Sequence, residues 1–166
     1  MSAAPGATSA AQDGAAIVFT RVWCARAPLA RMLEATRLER TPELHPLITR
    51  FEATRASGVA TEGWLRELVP LGPLRIPNKY RASRTLLAAS EAHANIVLEA
   101  WAAFGVHLRH ELALRAVGVR TEVTHVVRVD APRLLRGFVA RTAQRAHDAW
   151  VARVVAWAEA EPAREG

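Results

Sequence analysis

Residues 130–161 constrain the fold of this chain most, because they predict one long amphipathic helix. No proline interrupts the stretch between Pro132 and Pro162. Eight of its residues, all apolar except Thr142, recur at three- and four-residue steps and therefore share one helical face. That face consists of Leu135, Phe138, Val139, Thr142, Ala146, Trp150, Val154 and Trp157. At about 1.5 Å per residue the helix spans roughly 45 Å, so it must lie across a wide apolar surface.

The start of this helix has its own sequence signal in Asp130 and Pro132. We expect the Asp130 side chain to accept hydrogen bonds from the free backbone N–H groups of the first turn. Pro132 has no N–H that would need a partner, which suits the first turn of a helix. The helix is therefore predicted to begin at Asp130-Ala131-Pro132.

Residues 47–129 alternate between polar and apolar side chains, and turn signals break them into segments, which indicates a run of β-strands. The clearest strand covers residues 120–129. Its buried face is predicted to carry Thr121, Val123, His125, Val127 and Val129. The preceding strand, residues 107–115, is joined to it by a tight connection at Gly118. Its inward side chains are predicted to be Leu108, His110, Leu112 and Leu114.

The other elements follow from similar signals. Four further strands are predicted at residues 47–55, 61–71, 79–89 and 95–103. Their short connections favour an antiparallel meander. Residues 15–22 predict a first strand, Pro28 opens a short helix, and a second helical or irregular stretch ends at His45-Pro46. The predicted order is one strand, one or two short helices, six strands and a long helix, which is an α+β protein.

Composition bounds the class of protein. The 166 residues are 51% hydrophobic, so we expect one globular domain at residues 15–161, with a disordered tail at 1–14 and a short tail at 162–166. The single cysteine, Cys24, excludes an internal disulfide and favours a reducing, cytoplasmic location. No apolar run approaches the ~18 residues of a membrane span. The N-terminal tail also lacks the pattern of a secretory signal.

The net charge of +6 raises the question of nucleic-acid binding. The arginines are scattered singly over outward strand positions and polar helix faces, with acidic residues between them, and Lys79 is the only lysine. This pattern predicts a solvated basic surface and no specific nucleic-acid partner. Docking of an acidic partner on the helix, through Arg141 and Arg145, is a further alternative.

Three local motifs, in this order along the chain, resemble a known superfamily. Residues 22–28, Val-Trp-Cys-Ala-Arg-Ala-Pro, are similar to a first strand followed by the Ala-Pro pair that starts a helix. Residues 118–124, Gly-Val-Arg-Thr-Glu-Val-Thr, are similar to a glycine-led final strand, and Ala131-Pro132 to the start of a long C-terminal helix. Together they resemble the START-like superfamily, also called SRPBCC, which includes polyketide cyclases/dehydratases, plant pathogenesis-related ligand carriers and lipid-transfer domains.

The resemblance covers about residues 15–160. It implies a helix-grip fold, in which a curved seven-stranded antiparallel sheet wraps around the C-terminal helix with an apolar cavity between them. The chain departs from the superfamily before His45-Pro46, where it lacks the stretch containing aspartate and tryptophan that many members show.

Function then depends on which side chains line the cavity, because this fold hosts carriers, sensors and enzymes. The predicted ligand-binding residues are His110, His125, Leu112 and Val123 on the strands and Phe138, Thr142 and Trp150 on the helix, with Trp64, Tyr80 and Trp101 as further candidates. Small side chains on the helix, Thr142 and Ala146, would leave room beneath it. The inward faces of the strands between residues 61 and 103 stay open, since one strand allows either Leu65/Glu67/Val69 or Trp64/Arg66/Leu68 to face inward.

The two inward histidines have a structural and a functional interpretation. His110 and His125 could be hydrogen-bonded core residues, or they could orient a ligand and act as general acid and base. A metal site is not expected, because no third ligand has suitable spacing and His107 faces the other way on its strand. No cofactor is expected either, since the chain has no glycine-rich phosphate loop, no GxSxG motif and no paired cysteines.

Two functions of the cavity are open at this point. The first is binding of a hydrophobic small molecule, such as a lipid, an isoprenoid or an aromatic or polyketide-like compound, by a carrier or sensor that is a monomer or homodimer. The second is a cofactor-independent cyclase or dehydratase of the polyketide type, in which inward histidines move protons.

Overall fold

The computed structural model of the protein describes residues 10–13 and 16–160. Its strands are β1 (Ala10–Asp13), β2 (Ala16–Ala25), β3 (Ile48–Ala56), β4 (Ala60–Leu71), β5 (Leu74–Ala89), β6 (His93–Trp101), β7 (His107–Val117) and β8 (Arg120–Asp130). Its helices are α1 (Leu29–Ala35), α2 (Thr41–Leu44) and α3 (Arg133–Glu159), with short 3-10 turns at Leu38–Arg40 and Ala103–Gly105. None of these helices is long and apolar enough to cross a membrane.

Within the described residues, the strands form one antiparallel sheet in the order β1-β2-β8-β7-β6-β5-β4-β3. The seven predicted strands are β2 to β8, and the curved sheet with its long C-terminal helix confirms the predicted helix-grip fold. β3 to β8 form the predicted meander, whereas β2 pairs with the last strand, β8.

The strand β1 was not predicted. It pairs with the start of β2, with Ala10 opposite Phe19 and Asp13 opposite Ala16. The expected disorder is therefore wrong for residues 10–13, which form an edge strand. The rest of the expected N-terminal tail, residues 1–9 and 14, and the tail at 162–166 lie outside the described residues.

The long helix α3 begins at Arg133, and the predicted cap by Asp130 is wrong. Asp130 is the last residue of β8, so its backbone is still held in the sheet. Pro132 takes the N-cap position, and no side chain caps the first turn. The Pro132 carbonyl accepts hydrogen bonds from the N–H groups of Leu135 and Arg136.

The inner face of the sheet carries the predicted buried residues of β8. Thr121, Val123, His125, Val127 and Val129 are all fully buried. Met32 of α1 and Trp150 and Val154 of α3 join the hydrophobic cluster over the centre of the sheet. A second cluster surrounds Leu65 and Tyr80, at the end of the sheet formed by β3, β4 and β5. The helix therefore packs closely at its C-terminal half, and the space under its N-terminal half is left for a cavity.

Gly63 of β4 allows β3 to approach closely. A Cβ atom at this position would clash with the backbone carbonyl oxygen of Glu52 and would lie 2.5 Å from Cε2 of Phe51. The absence of a side chain lets the Phe51 ring pack against the second hydrophobic cluster. The close packing of β3 against β4 at this end of the sheet thus depends on a glycine.

Candidate functional site

A cavity of about 700 Å³ lies between the sheet and the N-terminal half of α3. Its walls are mainly apolar, and they include Leu65, Val69, Ile76, Leu98, Leu108, Leu135, Phe138 and Val139. The helix cannot fill the concave sheet here because the positions that face it, Thr142, Ala143 and Ala146, are small. The segment from Ala35 to Ile48 closes one side of the cavity.

Five of the predicted ligand-binding residues line this cavity. They are Tyr80, His110, Phe138, Thr142 and Trp150. Leu112, Val123 and His125 also face inward, as predicted, but they are fully or almost fully buried and lie outside the cavity lining. Leu112 and Val123 are core residues that support the cavity floor.

Trp64 and Trp101, which the sequence predicts at the site, do not line the cavity. Trp64 is 39% exposed, and Lys79 Nζ lies 5.0 Å from its ring centroid. Trp101 is 41% exposed, and its ring stacks on His107 at 5.4 Å. In β4 the side chains of Leu65, Glu67 and Val69 face the cavity, so Trp64 faces outward.

Three histidines meet at the cavity floor, and only two of them are predicted there from the sequence. His110 of β7 and His125 of β8 lie on adjacent strands, and His147 reaches them from α3. The Nδ1 atom of His110 and the Nε2 atom of His125 are 3.1 Å apart, so one ring donates its N–H to the other. The ring centroids of His125 and His147 are 4.2 Å apart. His110 and His147 line the cavity, and His125 lies behind them.

The inward orientation of His147 on α3, though not its meeting with the strand histidines, follows from its spacing in the sequence. His147 follows Ala143 by four residues and precedes Trp150 by three, and both of these line the cavity. Residues at these spacings share a helical face. The apolar face predicted from the sequence runs through the neighbouring Ala146 and does not include His147.

Burial keeps the three imidazoles neutral. It lowers the pKa of His110 to about 4. Burial, together with the electrostatic influence of the neighbouring His110, Arg21 and His45, lowers the pKa of His147 to about 3. The pKa of His125 lies well below its ordinary value because of burial and of its two histidine neighbours. At neutral pH each ring therefore offers one N–H and one lone pair.

Two ring nitrogens of this cluster have no hydrogen-bond partner. They are Nδ1 of His125 and Nε2 of His147, and both are buried. A buried polar atom without a partner costs about 1–3 kcal/mol of stability. The histidine cluster is therefore an unfavourable arrangement for the fold alone.

A second polar position lies on the wall formed by β4 and β5. Glu67 accepts a hydrogen bond of 2.9 Å from Asn78 Nδ2 and one of 3.3 Å from the Tyr80 hydroxyl. Burial raises the pKa of Glu67, although both hydrogen bonds favour its charged form. These residues line the cavity, as does His45, whose Nδ1 atom accepts a hydrogen bond from the Leu47 N–H. The cavity thus offers a few polar groups in an otherwise apolar wall.

Comparison with solved structures identifies the fold. The Zhui aromatase/cyclase of a Streptomyces species superposes with a TM-score of 0.70 at 15% identity, over 87% of this chain and 94% of that one. A STAR-related lipid transfer protein of Xanthomonas axonopodis gives a TM-score of 0.63 at 14% identity, over 89% of this chain and 98% of that one. The di-domain ARO/CYC StfQ of the steffimycin biosynthetic pathway gives 0.69 at 10% identity, over 87% of this chain. This chain spans 51% of that di-domain protein.

These similarities show that the protein has the START-like helix-grip fold, as its sequence motifs predicted. At identities of 10–15% they define the fold alone. No family model matches the sequence, and no curated protein matches it.

Proposed function

We propose that this protein binds a hydrophobic small molecule in the cavity between sheet and helix, as a carrier or sensor. The observation that carries the proposal is the apolar cavity of about 700 Å³. Sites for small molecules are typically clefts of roughly 300–1,000 Å³ with apolar walls and a few polar groups that set orientation. A lipid, an isoprenoid or an aromatic or polyketide-like compound fits this description.

The polar groups suggest how such a ligand would be oriented. His110 and His147 are exposed to the cavity at its floor, and Glu67 and Tyr80 are exposed to it on the wall. An oxygen atom of the ligand would be bound at one of these positions, and its apolar part would contact the remaining walls. Burial of apolar area drives the affinity at roughly 25 cal/mol per Å².

A cyclase or dehydratase activity is the second candidate, and the histidine pair at the floor favours it. A hydrogen-bonded imidazole pair in contact with a cavity can position an enolisable substrate and move its protons. The pKa of His110, about 4, makes this ring a weak general base at neutral pH, where the best base has a pKa near the operating pH. Binding without turnover is therefore the function we favour.

Native mass spectrometry of the purified protein tests this proposal, followed by denaturing extraction and identification of any released molecule. We expect an apolar compound to remain bound through purification, or the protein to bind members of a panel of fatty acids, isoprenoids and aromatic polyketides. A protein that carries no compound and binds no member of the panel would contradict the proposal. A cytoplasmic location, a monomeric or homodimeric state and the absence of a specific nucleic-acid partner belong to the same proposal.

A further inference from the structure

The histidine cluster at the cavity floor has the composition of a metal site. His110, His125 and His147 come from two adjacent strands and the helix that covers them, and one ring nitrogen of each lies within 4.8 Å of the others. The expectation that no metal site is present depended on the lack of a third ligand in the sequence. The fold supplies that ligand from α3.

The separations between the rings are close to those that a coordinated ion requires. In a tetrahedral site with metal–nitrogen bonds of about 2.0–2.1 Å, two ligand nitrogens lie roughly 3.3 Å apart and the centres of two imidazole rings roughly 5 Å apart. The nitrogens of His110 and His125 are 3.1 Å apart. The three pairs of ring centroids are separated by 5.2, 6.0 and 4.2 Å. The ligand nitrogens of the three rings lie within 4.8 Å of one another, so side-chain rotations that close the longer separations by up to about 1.5 Å would bring all three onto one ion.

The hydrogen bonding of the cluster also leaves a buried ring nitrogen available to a ligand. His147 Nε2 is buried without a hydrogen bond. Trp150 and Phe19 pack against His147 at ring centroid distances of 5.6 and 5.8 Å and leave this nitrogen without a partner. A metal ion would bind the lone pair of this nitrogen, and His125 would bind the ion through Nε2, the nitrogen that faces His110.

We propose that His110, His125 and His147 bind one divalent transition-metal ion, with Zn²⁺ as the ion that the site fits best. Three neutral imidazoles suit Zn²⁺, Co²⁺, Ni²⁺ and Cu²⁺, whereas Mg²⁺ and Ca²⁺ require oxygen ligands. Since His110 and His147 line the cavity, the fourth coordination position faces the cavity. Sites with three protein ligands and one open position are typical of zinc that binds water or a substrate.

The open position also defines the chemistry of a ligand. The three neutral donors leave the charge of the ion uncompensated, so an anionic oxygen, such as a carboxylate, an enolate or a phenolate, is the preferred fourth ligand. The metal proposal goes beyond the proposed function and does not depend on it, because the ion can bind when no hydrophobic compound is present.

Cobalt titration of the chelator-treated protein tests the site directly. We expect Co²⁺ to bind with a stoichiometry of one and to give the intense visible absorption of a tetrahedral complex, and one equivalent of Zn²⁺ to displace it. Elemental analysis of the protein after dialysis against Zn²⁺ should give the same stoichiometry. Failure of the folded wild-type protein to bind either ion in stoichiometric amount at neutral pH would overturn the proposal.

The variants His147→Ala and His147→Gln locate the ion, and His93→Ala is the matched control, because His93 is exposed and lies outside the cluster. Loss of a residue that only orients a metal-binding side chain weakens metal binding about 10- to 100-fold. Loss of His147, which would bind the metal directly, should therefore weaken it at least about 100-fold. His93→Ala should bind as the wild type does. Retention of wild-type affinity in both folded His147 variants, or an equal loss in His93→Ala, would refute the assignment. Circular dichroism identifies any variant that has not folded, and the wild-type titration decides the question if both fail.

Discussion

Filling the cavity from the helix is the sharpest test of where a ligand binds. Ala146 lies on the face of α3 that lines the cavity, and Ala152 lies on the exposed face of the same helix. The same substitution, Ala→Phe, can therefore be made at both positions. Only Ala146→Phe places a new ring in the space that the ligand would occupy.

The size of the effect follows from the volume of the cavity. A cavity of about 150 Å³ is enough to hold one benzene molecule. The added ring would thus take roughly a fifth of the 700 Å³ that is present. A ligand that loses contacts equivalent to one buried apolar side chain loses about 1.5–3 kcal/mol, which raises its dissociation constant roughly 10- to 150-fold.

The free energy of unfolding should respond in the opposite way. A ring that moves from solvent into an apolar cavity gains up to about 1.5–3 kcal/mol, so Ala146→Phe should not destabilise the protein. The control Ala152→Phe should change stability by no more than about 0.5 kcal/mol and should leave ligand affinity unchanged.

Titration with the fluorescent probe 1-anilinonaphthalene-8-sulfonate measures the affinity, and urea denaturation measures the stability. The cavity would not be the binding site if Ala146→Phe bound the probe as tightly as the wild type. An equal loss of affinity in both variants would indicate an effect on the helix and not on the cavity.

Two further predictions concern β4. Gly63→Ala should destabilise the protein by about 1–3 kcal/mol or more, because the new Cβ meets the backbone oxygen of Glu52, which cannot move without distorting β3. The control Gly58→Ala places its new Cβ in free space and should be neutral or stabilising by about 0.4–1 kcal/mol. Equal urea midpoints for the two variants would contradict the proposed clash at Gly63. The raised pKa of Glu67 makes a prediction about pH. The Glu67 carboxyl group keeps its proton to a higher pH in the folded state than in the unfolded chain. The stability that this protonation contributes is therefore present below the unfolded pKa and is lost as the pH rises through the folded pKa. The variant Glu67→Gln removes this titration. As the pH rises over that range, the free energy of unfolding of the variant should increase relative to that of the wild type. A difference between the two that does not change with pH would show that Glu67 titrates normally.

The parts of the fold that could be predicted are those with a single dominant period. The strand β8 alternates strictly, and Gly118 marks its connection to β7, so the inward positions of His110 and His125 followed directly from the sequence. The apolar face of α3 followed from its spacing in the same way. In these segments only one face can be buried.

The parts that could not be predicted have two plausible faces or depend on distant contacts. In β4 both alternating sets contain apolar residues, so the outward position of Trp64 required the packing of Leu65 into the second hydrophobic cluster. The edge strand β1 consists of Ala, Ala, Gln and Asp, which have no strand preference, and it forms only because β2 offers an unpaired edge. The meeting of His147 with the strand histidines depends on which turn of α3 crosses β7 and β8, and no local pattern contains that information.

The pairing of β2 with β8 affects how the protein is made. Residues 16–25 form strand pairs with β1 and with residues 120–130, so the chain between them must be synthesised before the sheet can close. At about 5–20 residues per second the first long strand waits on the ribosome for roughly 5–20 s before its principal partner exists. Pairing of strands that are so distant in sequence is also expected to slow folding. The emerging chain therefore exposes an apolar strand until residues 120–130 have been synthesised, and the sheet cannot close before then.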